Sequence, residues 1–369
     1  MKILLDQFIA DAIKIRHHLH RIPELQYEER KTGAFIASTL RSYGYEIQEG
    51  IGKTGIVVIL DSGKPGKTIA FRADIDALPI SEATGSAHQS THPGVMHACG
   101  HDGHTATLLL VARILQQIKP QLRGKIKLIF QPAEEGGNGS SAMIQDGVLK
   151  HPSVDAIFGY HNWPGLPLNS IATRAGCILA GSGRFEITIH GKRAHLSNPK
   201  DAINPVTIGV GIVKEIEALS IPMTVINLLG FNSGDWKQGT SERTEIVGCY
   251  FVEGEEAYLQ LKQRIESIVG EHGTVTFHEF QSATVNTPQE TEQVFFAARK
   301  AEIKDVQRLE SCKMAAEDFS EYLKYVPGCY FLMGAGERTA SLHTPFYDFP
   351  DEILTTAAQM FLQIAMENH

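Results

Sequence analysis

Residues 125–136 read KIKLIFQPAEEG: an apolar run that closes on Pro132 and then on two adjacent carboxylates, Glu134 and Glu135. A short apolar run that stops abruptly at ionisable groups is the signature of a buried strand delivering chemistry at its end. The same grammar recurs on either side. TIAFRADID (68–76) ends on Asp74 and Asp76, and DAIFGYHNWP (155–164) delivers His161. GIVVIL (55–60) is a further strand, and TATLLLVARILQQI (105–118) has the period of a helix. Strands alternating with helices predict an α/β sheet covered on both faces. In such sheets ligands gather at the carboxyl ends of the strands, where these polar residues fall.

From about Arg184 the pattern changes. RFEITIH (184–190) alternates as a half-buried strand, with Phe185, Ile187 and Ile189 on one face. AINPVTIGVGIVKEIEAL is helical, MTVINLLGF and TEIVGCYFV are strands, EEAYLQLKQRIESIVG is helical and TVTFHEF is a strand. The order β-α-β-β-α-β is the split, ferredoxin-like arrangement. Beyond it come the helix QETEQVFFAARK, the strand CYFLMGAG, the polar segment SLHTPFYDF and a last helix, ILTTAAQMFLQIAM. The expected organisation is therefore a discontinuous first domain, residues 1–177 and 287–369, with residues 178–286 inserted as a smaller domain.

The bulk numbers agree with two cores. The chain has 369 residues, 43% hydrophobic and 21% charged, which is more than one simple core accommodates. A net charge of −8 without a basic run speaks against nucleic acid and anionic membrane as partners. Five scattered cysteines with no CxxC pair point to a reducing, cytoplasmic setting. The N-terminal stretch places Leu5, Phe8, Ile9, Ala12 and Ile13 at helical spacing with charges between, so it reads as a first helix and not a signal peptide. No apolar run is long enough to span a bilayer.

The densest chemistry is MHACGHDGHTATLLL (96–110). Cys99 and His101 are one residue apart, so in an extended turn both side chains could reach one centre. Imidazole with thiolate suits zinc and related ions. Glu134 and Glu135, His161, and His343 in SLHTPFYDF are the other donors. Five such ligands with one shared suffice for two metal ions with open positions, the arrangement that activates water against a carbonyl. Each residue also has a plainer reading: Cys99 as a small buried hydrophobe, the histidines as hydrogen-bonded strand ends, the glutamates as a solvated face. A cysteine nucleophile is a further alternative, but His101 is too close in sequence to serve Cys99 easily as base, and the glutamates would have no task. Asp102 is a candidate for holding a ligand imidazole in one tautomer.

Taken in order, FRADIDALPI, MHACGHDGHTATLL, FQPAEEG, HGKRAH, AEDFSEYL and LHTPFYDF resemble the dinuclear metal-dependent amidohydrolases and metallopeptidases. The nearest branch holds the N-acyl-L-amino acid amidohydrolases, hippurate hydrolases, N-acetyldiaminopimelate deacetylases and indoleacetyl-amino-acid hydrolases. The similarity runs from RHHLHRIPEL (16–25) to the last helix. It implies a zinc-exopeptidase-like, mixed-sheet catalytic domain with an inserted lid and dimerisation domain. It implies that Cys99, His101, Glu135, His161 and His343 bind two divalent ions (zinc, manganese, cobalt or nickel), with Cys99 bridging. Glu134 would be general base and proton shuttle, and His195 of HGKRAH would help hold the oxyanion in the partner subunit of a homodimer; a tetramer stays open. Asp74 and Asp76 would support the ligands. The implied substrate is a small N-acylated amino acid. A dipeptidase, a biosynthetic deacetylase, or a relative that binds without turnover are the alternatives.

One stretch departs from the family pattern. QGTSERTEIVGCYF (238–251) puts Gln238 where an asparagine is expected and Phe251 where an arginine is. In the family those polar groups hold the substrate's carboxylate or the oxyanion. A phenyl ring cannot make a bidentate pair with a carboxylate. Arg243, on the same predicted strand, is the remaining candidate for that anion. The expectation is retained hydrolysis with a shifted preference, towards a bulkier or less acidic leaving group.

Overall fold

The computed structural model describes residues 2–234, 240–278 and 280–368. The chain begins with helices α1 (Lys2–Arg21) and α2 (Arg30–Ser42) and strands β1 (Ile47–Ile51), β2 (Gly55–Asp61) and β3 (Thr68–Asp74). Helix α3 (His101–Ile118), β4 (Lys125–Gln131), α4 (Gly139–Gln145), β5 (Ala156–Trp163), β6 (Ile171–Thr173) and β7 (Gly176–Leu179) follow. Next come β8 (Gly181–His190), α5 (Pro205–Glu217), β9 (Thr224–Ser233), β10 (Arg243–Val252), α6 (Glu255–Val269) and β11 (Gly273–Phe277). The last elements are β12 (Thr284–Asn286), α7 (Pro288–Lys300), β13 (Val306–Arg308), α8 (Ser320–Leu323), β14 (Gly328–Gly334) and α9 (Ile353–Met366).

Two compact units result. One comprises Met1–Ile178, Val285–Glu310 and Glu321–His369; the other comprises Leu179–Thr284 and Ser311–Ser320. The ten-residue segment from Ser311 falls in the smaller unit, whereas the sequence placed it in the first domain. The reason is hydrogen bonding: Ala180 N–H donates to Lys313 O at 2.9 Å, and Thr284 Oγ1 donates to Glu317 O at 3.3 Å.

The larger unit is built on an eight-stranded mixed sheet of order β1-β2-β4-β3-β5-β14-β6-β13. Its central block, β4, β3, β5 and β14, is parallel. One face of that block, with Phe71, Leu128, Phe158 and Phe331, shares a buried core with α1, α2, α3, α7 and α9. These strands are buried along almost their whole length, which is why they read as continuous apolar runs rather than alternating ones. Helix α3 is buried nearly all round, so its sequence carries few charges.

The smaller unit is a four-stranded antiparallel sheet of order β11-β8-β10-β9, the ferredoxin-like topology. Alternate residues Phe185, Ile187, Ile189, Ile246 and Tyr250 pack with Ile212 and Ile216 of α5 and Leu261 and Ile265 of α6. The intervening residues of β10, including Cys249 and Phe251, lie on the opposite, half-exposed face.

Gly103 shows how closely α3 is seated: a Cβ there would lie 2.4 Å from the buried ring of Phe349. Alanine would gain about 1 kcal/mol of helix propensity but overpack a rigid ring, which typically costs about 1–3 kcal/mol. Gly103→Ala is therefore expected to lower the thermal midpoint measured by circular dichroism; an unchanged or raised midpoint would contradict this packing.

Candidate metal centre

Parallel strands end on the same edge of a sheet, and here three of them deliver the polar residues together. Asp74 ends β3 and pairs with Gln131 at the end of β4. Three residues past the Phe71–Phe158 pair on β3 and β5 stand Asp74 and His161. Pro132 and Ala133 then carry the chain from β4 to Glu134 and Glu135. Ala133 has a left-handed φ of 52°, a conformation held by its N–H donating to Glu29 Oε1 at 2.9 Å. That turn makes the neighbouring glutamates converge: an oxygen of each lies within 4.8 Å of a His101 ring nitrogen.

Cys99 and His101 are not in an extended turn, as their spacing suggested. Gly100 between them is left-handed, at φ 89°, and caps α3, whose first residue is His101. A side chain at position 100 would also collide with Asn162, whose Oδ1 lies 2.5 Å from the site of a Cβ. Glycine alone satisfies both the conformation and the approach.

Around Cys99 Sγ three imidazoles are arranged. His161 Nε2 and His343 Nε2 each lie 3.3 Å from the sulfur. His343 itself takes a left-handed φ of 59°, and its N–H donates to Ala98 O at 2.9 Å. Cys99, His101 and His161 form one group whose ligand atoms lie mutually within 4.8 Å, and Cys99, Glu135 and His343 form a second. The two groups share the sulfur.

Hydrogen bonds behind the rings set which nitrogen faces inward. His161 Nδ1 lies 2.8 Å from Asn162 O, and His101 Nδ1 lies 2.9 Å from Asp76 O and 3.2 Å from Asp76 Oδ1. Both therefore present Nε2 to the centre. Asp76 also accepts from Glu135 N–H at 3.0 Å, so it supports two candidate ligands. Asp74 pairs with Arg72 at 2.7 Å and with His104 Nδ1 at 2.5 Å. Burial opposes charge on His101, but Asp74, then Asp76 and Glu135, outweigh it and raise its pKa to about 10. Burial pushes the Cys99 thiol well up, with Glu135 and Glu134 adding to it. His101 Nε2 is buried and has no hydrogen-bond partner. A sulfur, two carboxylates and inward-facing imidazoles, one with an unsatisfied nitrogen, form a donor set that fits divalent transition ions and little else.

Asp102 does not hold a ligand imidazole, contrary to expectation. Its Oδ2 is engaged instead by His20 Nδ1 at 2.8 Å and Arg16 Nη1 at 3.3 Å. Sequence reading also missed Asn162 and Tyr347, joined by a 2.6 Å hydrogen bond from the amide to the phenol oxygen. Asn162 follows a candidate ligand directly, but nothing along the chain links it to Tyr347.

The other candidates lie in the smaller unit. His195 is exposed on the loop after β8, with Nδ1 2.7 Å from Ser197 Oγ. Arg243 starts β10 opposite His190 and pairs with Glu245 at 2.5 Å. Phe251 lies eight residues further along the same strand, opposite Ser182 and Val225. At a rise of about 3.3 Å per residue the two are roughly 26 Å apart, so the arginine does not take the place of the phenylalanine. Gln238 lies outside the described residues.

Residues 70–367 match peptidase family M20/M25/M40. The chain belongs to that family. This M20 chain is 34% identical to the N-acetyl-L-cysteine deacetylase of Bacillus subtilis, over 95% of its own length and 86% of the relative's. It is 33% identical to the IAA-amino acid hydrolase ILR1-like 2 of Arabidopsis thaliana, over 96% and 84% of the two chains. In three dimensions it resembles a dinuclear metal-binding M20 peptidase of Bacillus subtilis, with a TM-score of 0.83, 30% identity and 98% coverage of both chains. Because Cys99 is common to both groups of donors, Cys99→Ala in the M20 chain is expected to cut tightly bound zinc from about two equivalents per chain to one or none. Elemental analysis after gel filtration checks this; retention of both would exclude Cys99 as a ligand.

Proposed function

We propose that this M20 enzyme hydrolyses the amide bond of small N-acyl amino acids, with Glu134 as general base. The observation that carries the reading is the convergence of Glu134 on the same point as His101 and Glu135, beside two donor groups that share Cys99. Cys99, His101, Glu135, His161 and His343 would hold a pair of divalent ions, zinc being favoured by the thiolate. Such ions, when bound, polarise a carbonyl and lower the pKa of a water.

The chain's own residues do the rest. Glu134 takes a proton from the attacking water as its oxygen bonds to the carbonyl carbon. The C–N bond then breaks, and Glu134 returns the proton to the departing nitrogen. The products are a carboxylic acid and a free amine. Asp76 keeps the His101 ring and the Glu135 backbone in place, and Asp74 does the same for His104. His195 of the partner subunit is assigned to the oxyanion, as the family pattern implies. A homodimer is supported by the smaller unit, whose edge strand β9 exposes Val225, Leu229 and Phe231.

The relatives support the substrate class, since they include a deacetylase of an N-acyl amino acid and a hydrolase of indoleacetyl-amino acids. Five cysteines, none in a disulfide, support a reducing, cytoplasmic setting. Among the described residues no helix is long and apolar enough to cross a membrane.

Two experiments test the proposal. Amine release from N-acetyl, N-benzoyl and dipeptide substrates, at defined zinc loading, is measured for wild type beside Glu134→Gln. The variant should keep its metal and lose at least about a hundredfold in kcat, since positioned proton transfer contributes about 10²–10⁴-fold. Full activity in the metal-loaded variant would remove Glu134 from the mechanism. Phe251→Arg should raise kcat/KM for substrates with a free α-carboxylate by about tenfold over their amides, a gain of about 1.4 kcal/mol. An equal effect on both would show that Phe251 does not meet that carboxylate.

A further inference from the structure

RHHLHRIPEL, the stretch in which the family likeness begins, contributes nothing to the chemistry above, yet it holds a side chain that is costly to bury. Arg16 on α1 is 1% exposed. An isolated guanidinium would not be tolerated there, and Arg16 is not isolated. Its Nη1 lies 3.3 Å from Asp102 Oδ2 and 2.8 Å from Asp348 Oδ1, and its Nε lies 2.5 Å from Asp351 Oδ1. Its Nη2 is 2.9 Å from His88 Nε2. The three carboxylates come from two segments far apart in sequence. Asp102 adjoins His101 in the first turn of α3. Asp348 and Asp351 follow His343 in the segment that leads into α9.

We infer that Arg16 is a positioning residue that sets the spacing between the two donor groups, by tying the helix end that presents His101 to the segment that presents His343. The inference rests on the metal-centre reading above. The two segments already share one backbone bond, His343 N–H to Ala98 O at 2.9 Å. That bond and the packing of Phe349 on Gly103 hold the segment by backbone and by apolar contact; Asp348, five residues past His343, adds an attachment with a fixed direction. The adjacent Tyr347 oxygen receives the Asn162 amide, so the same segment is also joined to the strand that carries His161. A planar fork can engage several carboxylates in fixed directions, which an ammonium cannot do.

His20, one turn along α1, separates the two halves of this role. Its Nδ1 lies 2.8 Å from the same Asp102 Oδ2, and its Nε2 lies 3.3 Å from Glu82. Asp102 therefore keeps a partner without Arg16. What Arg16 alone supplies is the connection from Asp102 to Asp348 and Asp351.

The test is zinc affinity, measured by competition with a chromophoric chelator on the full-length apoprotein, for wild type, Arg16→Met, Arg16→Lys and Asp348→Asn. Thermal midpoints are recorded in parallel. The expected result is one zinc held as in wild type and a second bound about 10–100-fold more weakly in Arg16→Met and Asp348→Asn, with Arg16→Lys intermediate. Asp348 is half-exposed, so its asparagine variant should fold and decides the matter if Arg16→Met does not. Unchanged affinity for both ions in Asp348→Asn, with only the midpoint of Arg16→Met lowered, would make Arg16 a structural residue and overturn the inference. Wild type that binds no zinc would instead overturn the metal-centre reading and, with it, any spacing for Arg16 to set.

Discussion

Buried negative charge is the constraint around which the larger unit is organised. Asp74, Asp76 and Asp102 are each no more than 1% exposed, and Glu135 and the Cys99 thiol are nearly as well covered. Carboxylates cannot stay ionised away from water unless positive charge or hydrogen bonds meet them. Two of them are answered within the protein: Asp74 by Arg72 and His104, Asp102 by Arg16 and His20. Burial tends to raise the pKa of Asp102, but His20 and then Arg16 overcome it and hold its carboxyl far below the ordinary range. The remaining acids face the three imidazoles around Cys99, and there the balance of charge favours a bound cation.

Pairing by arginine and histidine, rather than by hydrophobic replacement, also has a geometric consequence. Buried ion pairs contribute little net stability, because desolvation offsets most of the attraction. They do fix directions. The same reasoning applies to the strained backbone at Ala133 and His343, two non-glycine residues held at positive φ beside the centre. Each is restrained by a hydrogen bond from its own N–H, to Glu29 and to Ala98 respectively. Strain of this kind persists where the surroundings over-determine it, and it concentrates where side chains must be aimed.

The smaller unit solves a different problem. Its sheet is covered by α5 and α6 on one face only, so its strands alternate and the second face is left half-exposed, with Cys249 and Phe251 upon it. Its edge strand β9 exposes apolar side chains instead of the charges that usually protect an edge.

Much of this was legible along the chain. The parallel strands could be read because full burial makes them continuous apolar runs, and KIKLIFQPAEEG and TIAFRADID announced the edge where acids gather. The ferredoxin-like order followed from alternation, since RFEITIH has one buried face. The five candidate donors stood out because cysteine, histidine and glutamate gather in short polar stretches that interrupt or follow apolar runs. Local sequence could not show that Gly100 turns Cys99 and His101 by a left-handed step, or that Asp102 is engaged by His20 and Arg16. Nor could it pair Asn162 with Tyr347, or Arg16 with Asp348, positions separated by 185 and 332 residues. Periodicity reports which face of an element is buried, and that is a local property. Which buried charge meets which is decided only when the sheet has assembled, because the partners are supplied by segments that share no sequence neighbourhood.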